Sequence, residues 1–381
     1  MIFYFICYLL SILLQFYCCI SCFCAIIITK YIDGSDCMLK EMLASRNLPA
    51  LKPRDEMLGI LQREVYGFLP PKPDDISFTQ EKDIIRRFCA GKANCDRITV
   101  NCRVDGREFS FPILATIPND RTKGKYPLFI HINFRPDNPD RYMPTEEIID
   151  NGFALISLCY ADVTSDDGDF TNGLAGILFP DGKRPADGAG KIAMWAWAAQ
   201  RALDYAETLG DIIDLDRVCV CGHSRLGKTA LFTAATDPRF AFAYSNGAGC
   251  SGAAIQRGKT GETVADIVDR FPFWFCENYY KYANNEDKMP FDQHYLIASI
   301  APRRVFVGSA EEDAWADPLS EFLSCVAASP AFEKGIVCPD RVPETGDRFP
   351  EGDVGWQIRP GVHYFSRLDW QRLIEFIKLH S

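Results

Sequence analysis

The sequence has no basic stripe. Lysine and arginine number 41 against 51 acidic residues, for a formal charge of −10, and no run of cations is placed to grip a phosphate backbone. Nucleic acid is therefore excluded as a partner, although a local basic pocket for an anionic ligand is still compatible with an acidic surface. Beyond the first 29 residues, no Cys-x-x-Cys or Cys/His group has the ligand spacing of a zinc site, so neither a metal nor another cofactor is expected. Internal repeats and low-complexity linkers are missing too, which leaves one domain as the simplest organisation. Histidine is scarce: only five are present, so few residues could serve as a base.

Charge is also missing from residues 1–29; Lys30 is the first charged residue. An apolar stretch of that length reads as a signal peptide or an uncleaved membrane anchor. It lacks the basic start and the small-x-small site of a plain cleavable signal. The expectation is a secreted or periplasmic monomer that meets a membrane only through this segment. Five of the 16 cysteines lie in it (Cys7, Cys18, Cys19, Cys22, Cys24). Of the remainder, Cys89, Cys95 and Cys102 are close enough for a pair among them, which export would permit.

From Asp36 to about Leu69 the pattern is helical and ends at Pro70-Pro71, an N-terminal extension packed on the domain. Arg97 to Val104 and Glu108 to Pro118, joined at Asp105-Gly106, predict a β-hairpin. Tyr126 to Phe134 and Phe153 to Tyr160 are apolar runs of strands covered on both faces. Ile192 to Thr208 is an amphipathic helix. Strands follow at Val218 to Cys221, Phe240 to Ser245 and Arg304 to Ser309, and helices at Leu319 to Ala328 and Trp370 to Leu379. The aromatic stretches Phe271 to Phe275 and Tyr279 to Tyr282 read as packing in an excursion above the sheet. Strand alternating with helix predicts an α/β fold: a mostly parallel central sheet between two helical layers.

The organising stretch is Arg217-Val-Cys-Val-Cys-Gly-His-Ser-Arg-Leu-Gly-Lys. Ser224 lies between a buried strand, where Cys219 and Cys221 act as small hydrophobes, and a helix start. That is the arrangement of the nucleophile elbow of α/β-hydrolases. Gly222 is in place, but Leu226 stands where the second glycine belongs and Gly227 comes one position late. A serine at such a turn can equally be a helix N-cap.

A serine hydroxyl needs a base, and the base needs a carboxylate to hold its tautomer. After Ser224 come only His294, His363 and His380. His294 lies in a helix and reads as structural, and penultimate His380 reads as frayed. His363, in a loop before the last helix, is the candidate base. Following the Arg304 strand, one loop holds Glu311, Glu312, Asp313 and Asp317. Asp313 has the spacing of the acid, and Asp317 before Pro318 reads as a helix cap.

Taken together, Gly222-His-Ser-Arg-Leu-Gly-Lys, Asn246-Gly-Ala-Gly-Cys-Ser-Gly, Gly261-Glu-Thr-Val, Phe291-Asp-Gln-His, Ala301-Pro-Arg, Glu312-Asp-Ala-Trp-Ala-Asp-Pro and Arg359-Pro-Gly-Val-His resemble the bacterial glucuronoyl esterases of carbohydrate esterase family 15. The resemblance runs from about Glu64 to the end of the chain. It implies an α/β-hydrolase fold over residues 30–381 and cleavage of esters between (4-O-methyl-)glucuronic acid on xylan and lignin alcohols. By resemblance Ser224 is the nucleophile, His363 the base and Asp313 the acid. Arg225 joins backbone N–H groups around the oxyanion, and Lys228, Glu262 and Trp315 bind the sugar. That family also has glycine at the third position after the serine, as in Gly227.

Two departures stand out. Where some members carry a glutamate this chain has Gly247, and Phe134-Arg-Pro-Asp replaces a segment richer in glycine and asparagine. Rival readings are an acetyl-xylan or general carboxylesterase on the same fold, and a non-catalytic carbohydrate-binding protein on a degenerate one.

Overall fold

The computed structural model describes residues 38–381; the uncharged leader lies outside the described residues. Two compact units are present, one ending at Ser45 and one running from Arg46 to Ser381. The described part of the first contains the helix Met38–Ser45. No helix among the described residues is long and apolar enough to cross a membrane.

The second unit is built on a ten-stranded sheet in the order β1-β2-β3-β5-β4-β6-β7-β8-β10-β9. Its strands are β1 Asp75–Phe88, β2 Ala93–Val104, β3 Arg107–Pro118, β4 Tyr126–Asn133, β5 Ala154–Cys159, β6 Ile213–His223, β7 Phe242–Asn246, β8 Arg304–Ala310, β9 Arg348–Phe349 and β10 Val354–Arg359. From β5 through β10 every neighbouring pair is parallel. The first three strands form an antiparallel meander at one edge, and short β9 pairs antiparallel at the other. Parallel pairing requires crossovers, and these carry the helices to both faces.

β4, β5 and β7 are buried along their whole length, which is why they read as unbroken apolar runs. On one face Phe129, Leu155, Cys219, Cys221, Phe242 and Phe306 pack with Trp370, Leu373 and Phe376 of the closing helix Arg367–Leu379. Burial raises both cysteine thiols well above their usual range. The helices Lys191–Glu207 and Arg225–Thr236 pack against each other and against β4 and β6. The N-terminal extension joins the same unit from Arg46: Arg54 donates to the carbonyls of Ser299 (2.9 Å) and Ala235 (2.6 Å).

Two expectations are corrected, and one strand is added. Cys89, Cys95 and Cys102 are free and buried. Cys95 and Cys102 stand toward opposite ends of extended β2, where a rise of about 3.3 Å per residue carries them beyond the ~7 Å Cα reach of a disulfide. Cys89 instead packs on Ala93 and Ile149, and Cys95 accepts from Asn138 Nδ2 at 3.6 Å. His380 is not frayed: its Nε2 pairs with Pro350 O at 2.7 Å and its ring lies 4.6 Å from that of Phe376. β1 was not foreseen. It is an edge strand in which the alternation of half-buried Ile76 and Phe78 is short and gives way to the exposed run Gln80-Glu-Lys-Asp83.

Candidate active site

Ser224, Asp313 and His363 lie just beyond the carboxyl ends of β6, β8 and β10. Ser224 has φ 58° and ψ −128°, a region costly to a residue with a side chain and sustained only by surrounding structure. It occupies the N-cap position of Arg225–Thr236, yet its hydroxyl makes no capping hydrogen bond. The turn is held by main chain instead: Ser224 N donates to Asn246 O (2.8 Å), and Lys228 N to Ser224 O (3.1 Å). A Cβ on Gly222 would lie 2.3 Å from Leu226 O, and one on Gly227 3.0 Å from Ser245 Oγ. Glycine three positions after the serine thus lets the helix start settle onto β7, where the common motif places it two positions after.

The Asp313 and His363 loops are laced together by backbone. Glu311 N donates to Arg359 O (2.9 Å) and Glu312 N to Gly361 O (3.0 Å). This brings His363 Nδ1 to 2.5 Å from Asp313 Oδ2. A carboxylate can only accept, so Nδ1 carries the proton and Nε2 keeps its lone pair. Asp313 is only 6% exposed, whereas Glu311 and Glu312 are exposed. Asp317 caps the helix Pro318–Ala328 through Ser320 N.

The imidazole sits over the end of β7, where a Cβ on Gly247 (φ 54°) would meet His363 Nδ1 at 3.1 Å and Asp313 Oδ2 at 3.3 Å. A side chain at 247 would therefore occupy the acid–base pair's own space. On its other side His363 packs on His223, the residue before Ser224, with ring centroids 4.3 Å apart. Burial, with a smaller contribution from the neighbouring His363 ring, pulls the His223 pKa down to about 3. It stays neutral, its Nδ1 paired with Asn246 Oδ1 at 2.7 Å.

Arg359 anchors the His363 turn. Its guanidinium donates to the carbonyls of Pro360 (2.9 Å), Val362 (3.2 Å) and Tyr364, and its Nε to Asp369 (2.7 Å).

Arg225 opens the helix directly after Ser224. Its guanidinium carbon is 4.9, 5.5 and 5.3 Å from the ring centres of Phe134, Tyr160 and Trp274. Its Nε is 3.1 Å from Asp166 Oδ2. Phe134, from the segment that departs from the family pattern, is thus part of the wall around this cation. Trp274 is more than packing: it stacks on Phe271 at 4.0 Å and its indole N–H donates to Asp166 Oδ1 at 2.6 Å. Sequence reasoning missed Asp166, whose neighbours Asp167 and Asp169 make the segment look like a solvated acidic turn.

Lys228 is 4% exposed and donates to Ala248 O. Burial lowers its pKa, partly offset by the Glu262 charge. Glu262 is held in place by its own N–H, which donates to Trp315 O at 2.9 Å. Its carboxylate has no hydrogen-bond partner among the described residues. Trp315 is 46% exposed, with the Arg270 guanidinium 5.2 Å from its ring centre. His294, as expected, is structural: buried, with Nε2 2.9 Å from Pro49 O.

Comparison with known proteins agrees with this geometry. A family model described as glucuronyl esterase, fungi, matches residues 100–334. A carbohydrate esterase of an unknown prokaryotic organism is 32% identical over 369 residues, covering 86% of this chain and 84% of that protein. The 4-O-methyl-glucuronoyl methylesterase of Schizophyllum commune is 26% identical, covering 75% and 69%. Among solved structures, the glucuronoyl esterase from Solibacter usitatus superposes with a TM-score of 0.77 at 31% identity, over 86% of this chain and 92% of that one. With a family match over more than half its length and this structural likeness, this chain belongs to the glucuronoyl esterase family and has the α/β-hydrolase fold.

Proposed function

We propose that this chain is a serine esterase hydrolysing esters of (4-O-methyl-)D-glucuronic acid, as in lignin–glucuronoxylan cross-links. The observation that carries the reading is the His363–Asp313 pair, seated over Gly247 and against the residue preceding Ser224. Ser224 Oγ attacks the uronoyl carbonyl carbon and passes its proton to His363 Nε2. The carbonyl oxygen takes up the negative charge beside Arg225 and the N–H groups at the start of the elbow helix. Collapse expels the alcohol, which leaves with the proton from His363, and a glucuronoyl-Ser224 ester remains. His363 then takes a proton from water, whose oxygen attacks that ester, and returns it to Ser224 Oγ as the acyl bond breaks, releasing glucuronic acid and free Ser224.

Lys228 has further N–H donors beyond the one given to Ala248 O, and the Glu262 carboxylate has free acceptors. Both suit sugar hydroxyls, and the exposed Trp315 indole suits a sugar ring's apolar face. The protein works outside the cytoplasm as a monomer, delivered or anchored by residues 1–29.

Benzyl glucuronate tests the reading. Wild type hydrolyses it and Ser224→Ala does not; equal rates, or a strong preference for acetyl esters over uronates, would remove the proposal.

A further inference from the structure

The Arg225 guanidinium meets its surroundings through one edge and its faces. Asp166 Oδ2 lies 3.1 Å from Nε, an ion pair held by charge and outside hydrogen-bond geometry, and the rings of Phe134, Tyr160 and Trp274 stand around the group. What remains for a ligand is the fork of terminal nitrogens, the part of arginine suited to an oxyanion.

The carboxylate that selects this edge is itself fixed from two sides. Trp274 Nε1 donates to Asp166 Oδ1 at 2.6 Å, while the Tyr160 hydroxyl lies 3.3 Å from Oδ2. The segment carrying Asp166 is fixed in turn by Lys191, which heads the helix Lys191–Glu207. Its ammonium donates to Thr164 Oγ1 (2.9 Å) and Asp169 O (2.6 Å). That lysine is fully buried, and burial draws its pKa down to about 8.

We infer that Asp166 is a positioning residue for the reaction: it aims Arg225 so that the guanidinium fork, and not its Nε edge, meets the oxyanion formed at Ser224. The inference rests on the oxyanion role of Arg225 in the reading above. It adds that the aim is set by a carboxylate more than fifty positions upstream in sequence, from a different loop. Without that carboxylate the guanidinium would still be attracted to the three rings, since stacking on aromatic faces favours no particular edge.

The test is a double-mutant cycle on Asp166→Asn and Arg225→Ala, with benzyl glucuronate and 4-nitrophenyl acetate as substrates. Loss of one oxyanion donor typically costs about 10²- to 10³-fold in kcat, and a misaimed one about tenfold or more. Asp166→Asn is therefore expected to lower kcat about tenfold with KM nearly unchanged, and to have no further effect in the Arg225→Ala background. Unchanged kcat, or an equal loss in both backgrounds, would overturn the inference, the second by showing an effect on the fold at large. Should Asp166→Asn fail to fold by thermal melting, Trp274→Phe is read in the same cycle. It removes the indole donor that orients the carboxylate, with a smaller kcat loss expected that again vanishes without Arg225. Activity on the acetate alone would sink the proposed uronate substrate while leaving the cycle readable.

Discussion

The two sides of Ser224 are held by different means. On the base side the main chain does most of the work: the loops after β8 and β10 are joined through Glu311 N and Glu312 N, and the space for the imidazole exists because Gly247 has no side chain. On the oxyanion side Arg225 is held by side chains from separate segments, three rings and one carboxylate. A backbone ladder can form with almost any side chains, whereas a cage of rings and charges depends on each member. The base side is thus fixed largely by main chain, with Arg359 as its side-chain anchor, and the side proposed for the oxyanion by side chains from separate segments.

The largest effect should come from the acid. Asp313→Asn leaves the loops laced but offers His363 the wrong tautomer, and kcat should fall about 10⁴-fold with little change in melting temperature. A loss under tenfold would mean the base is oriented mainly by its turn.

Glu321 joins the segment after β7 to the end of β8, accepting from Gly249 N (2.8 Å) and Ser309 Oγ (2.6 Å) at zero exposure. Burial raises its pKa from 4.5 to about 7. Between those values the folded protein keeps a proton that the unfolded chain gives up. The stability it contributes is full below about pH 4.5 and is lost as pH rises through about 7, about 3 kcal/mol in all. Glu321→Gln should therefore melt progressively higher than wild type as pH rises across that window; a pH-independent difference would contradict the assignment.

Gly247→Ala is expected to cost about 10- to 100-fold in kcat, because the added carbon must push His363 or Asp313 and the φ of 54° disfavours alanine. Normal activity would show that His363 and Asp313 can give way around Gly247 without losing their alignment. Smallest is Trp315→Ala, which removes a sugar platform and should raise KM on glucuronoyl esters about tenfold or less with kcat preserved. Comparison with 4-nitrophenyl acetate, which lacks a sugar, should show no change.

What could be read beforehand follows the same division. β4 through β8 declare themselves by apolar runs because both faces are covered, and the elbow by glycine spacing. Asp313 and His363 follow from chain order and the position of strand ends. By contrast, Phe134, Tyr160, Asp166 and Trp274 come from distant segments, each with an ordinary local explanation: a loop aromatic, a strand end, an acidic turn, a packed excursion. Their meeting is created by the fold, and no local spacing encodes it. β1 escaped for a related reason: its alternation lasts only from Asp75 to Thr79 before an exposed charged stretch interrupts it.

Asp369 has two attachments at once. It closes the capping box of the 13-residue closing helix with Ser366, and it receives the Arg359 side chain that grips the turn carrying His363. Docking of that helix and arrival of the proton acceptor are consequently a single event. A partly melted molecule that has shed this helix would be chemically silent even with its nucleophile turn intact, so catalytic output doubles as a sensitive gauge of whether the closing helix is docked.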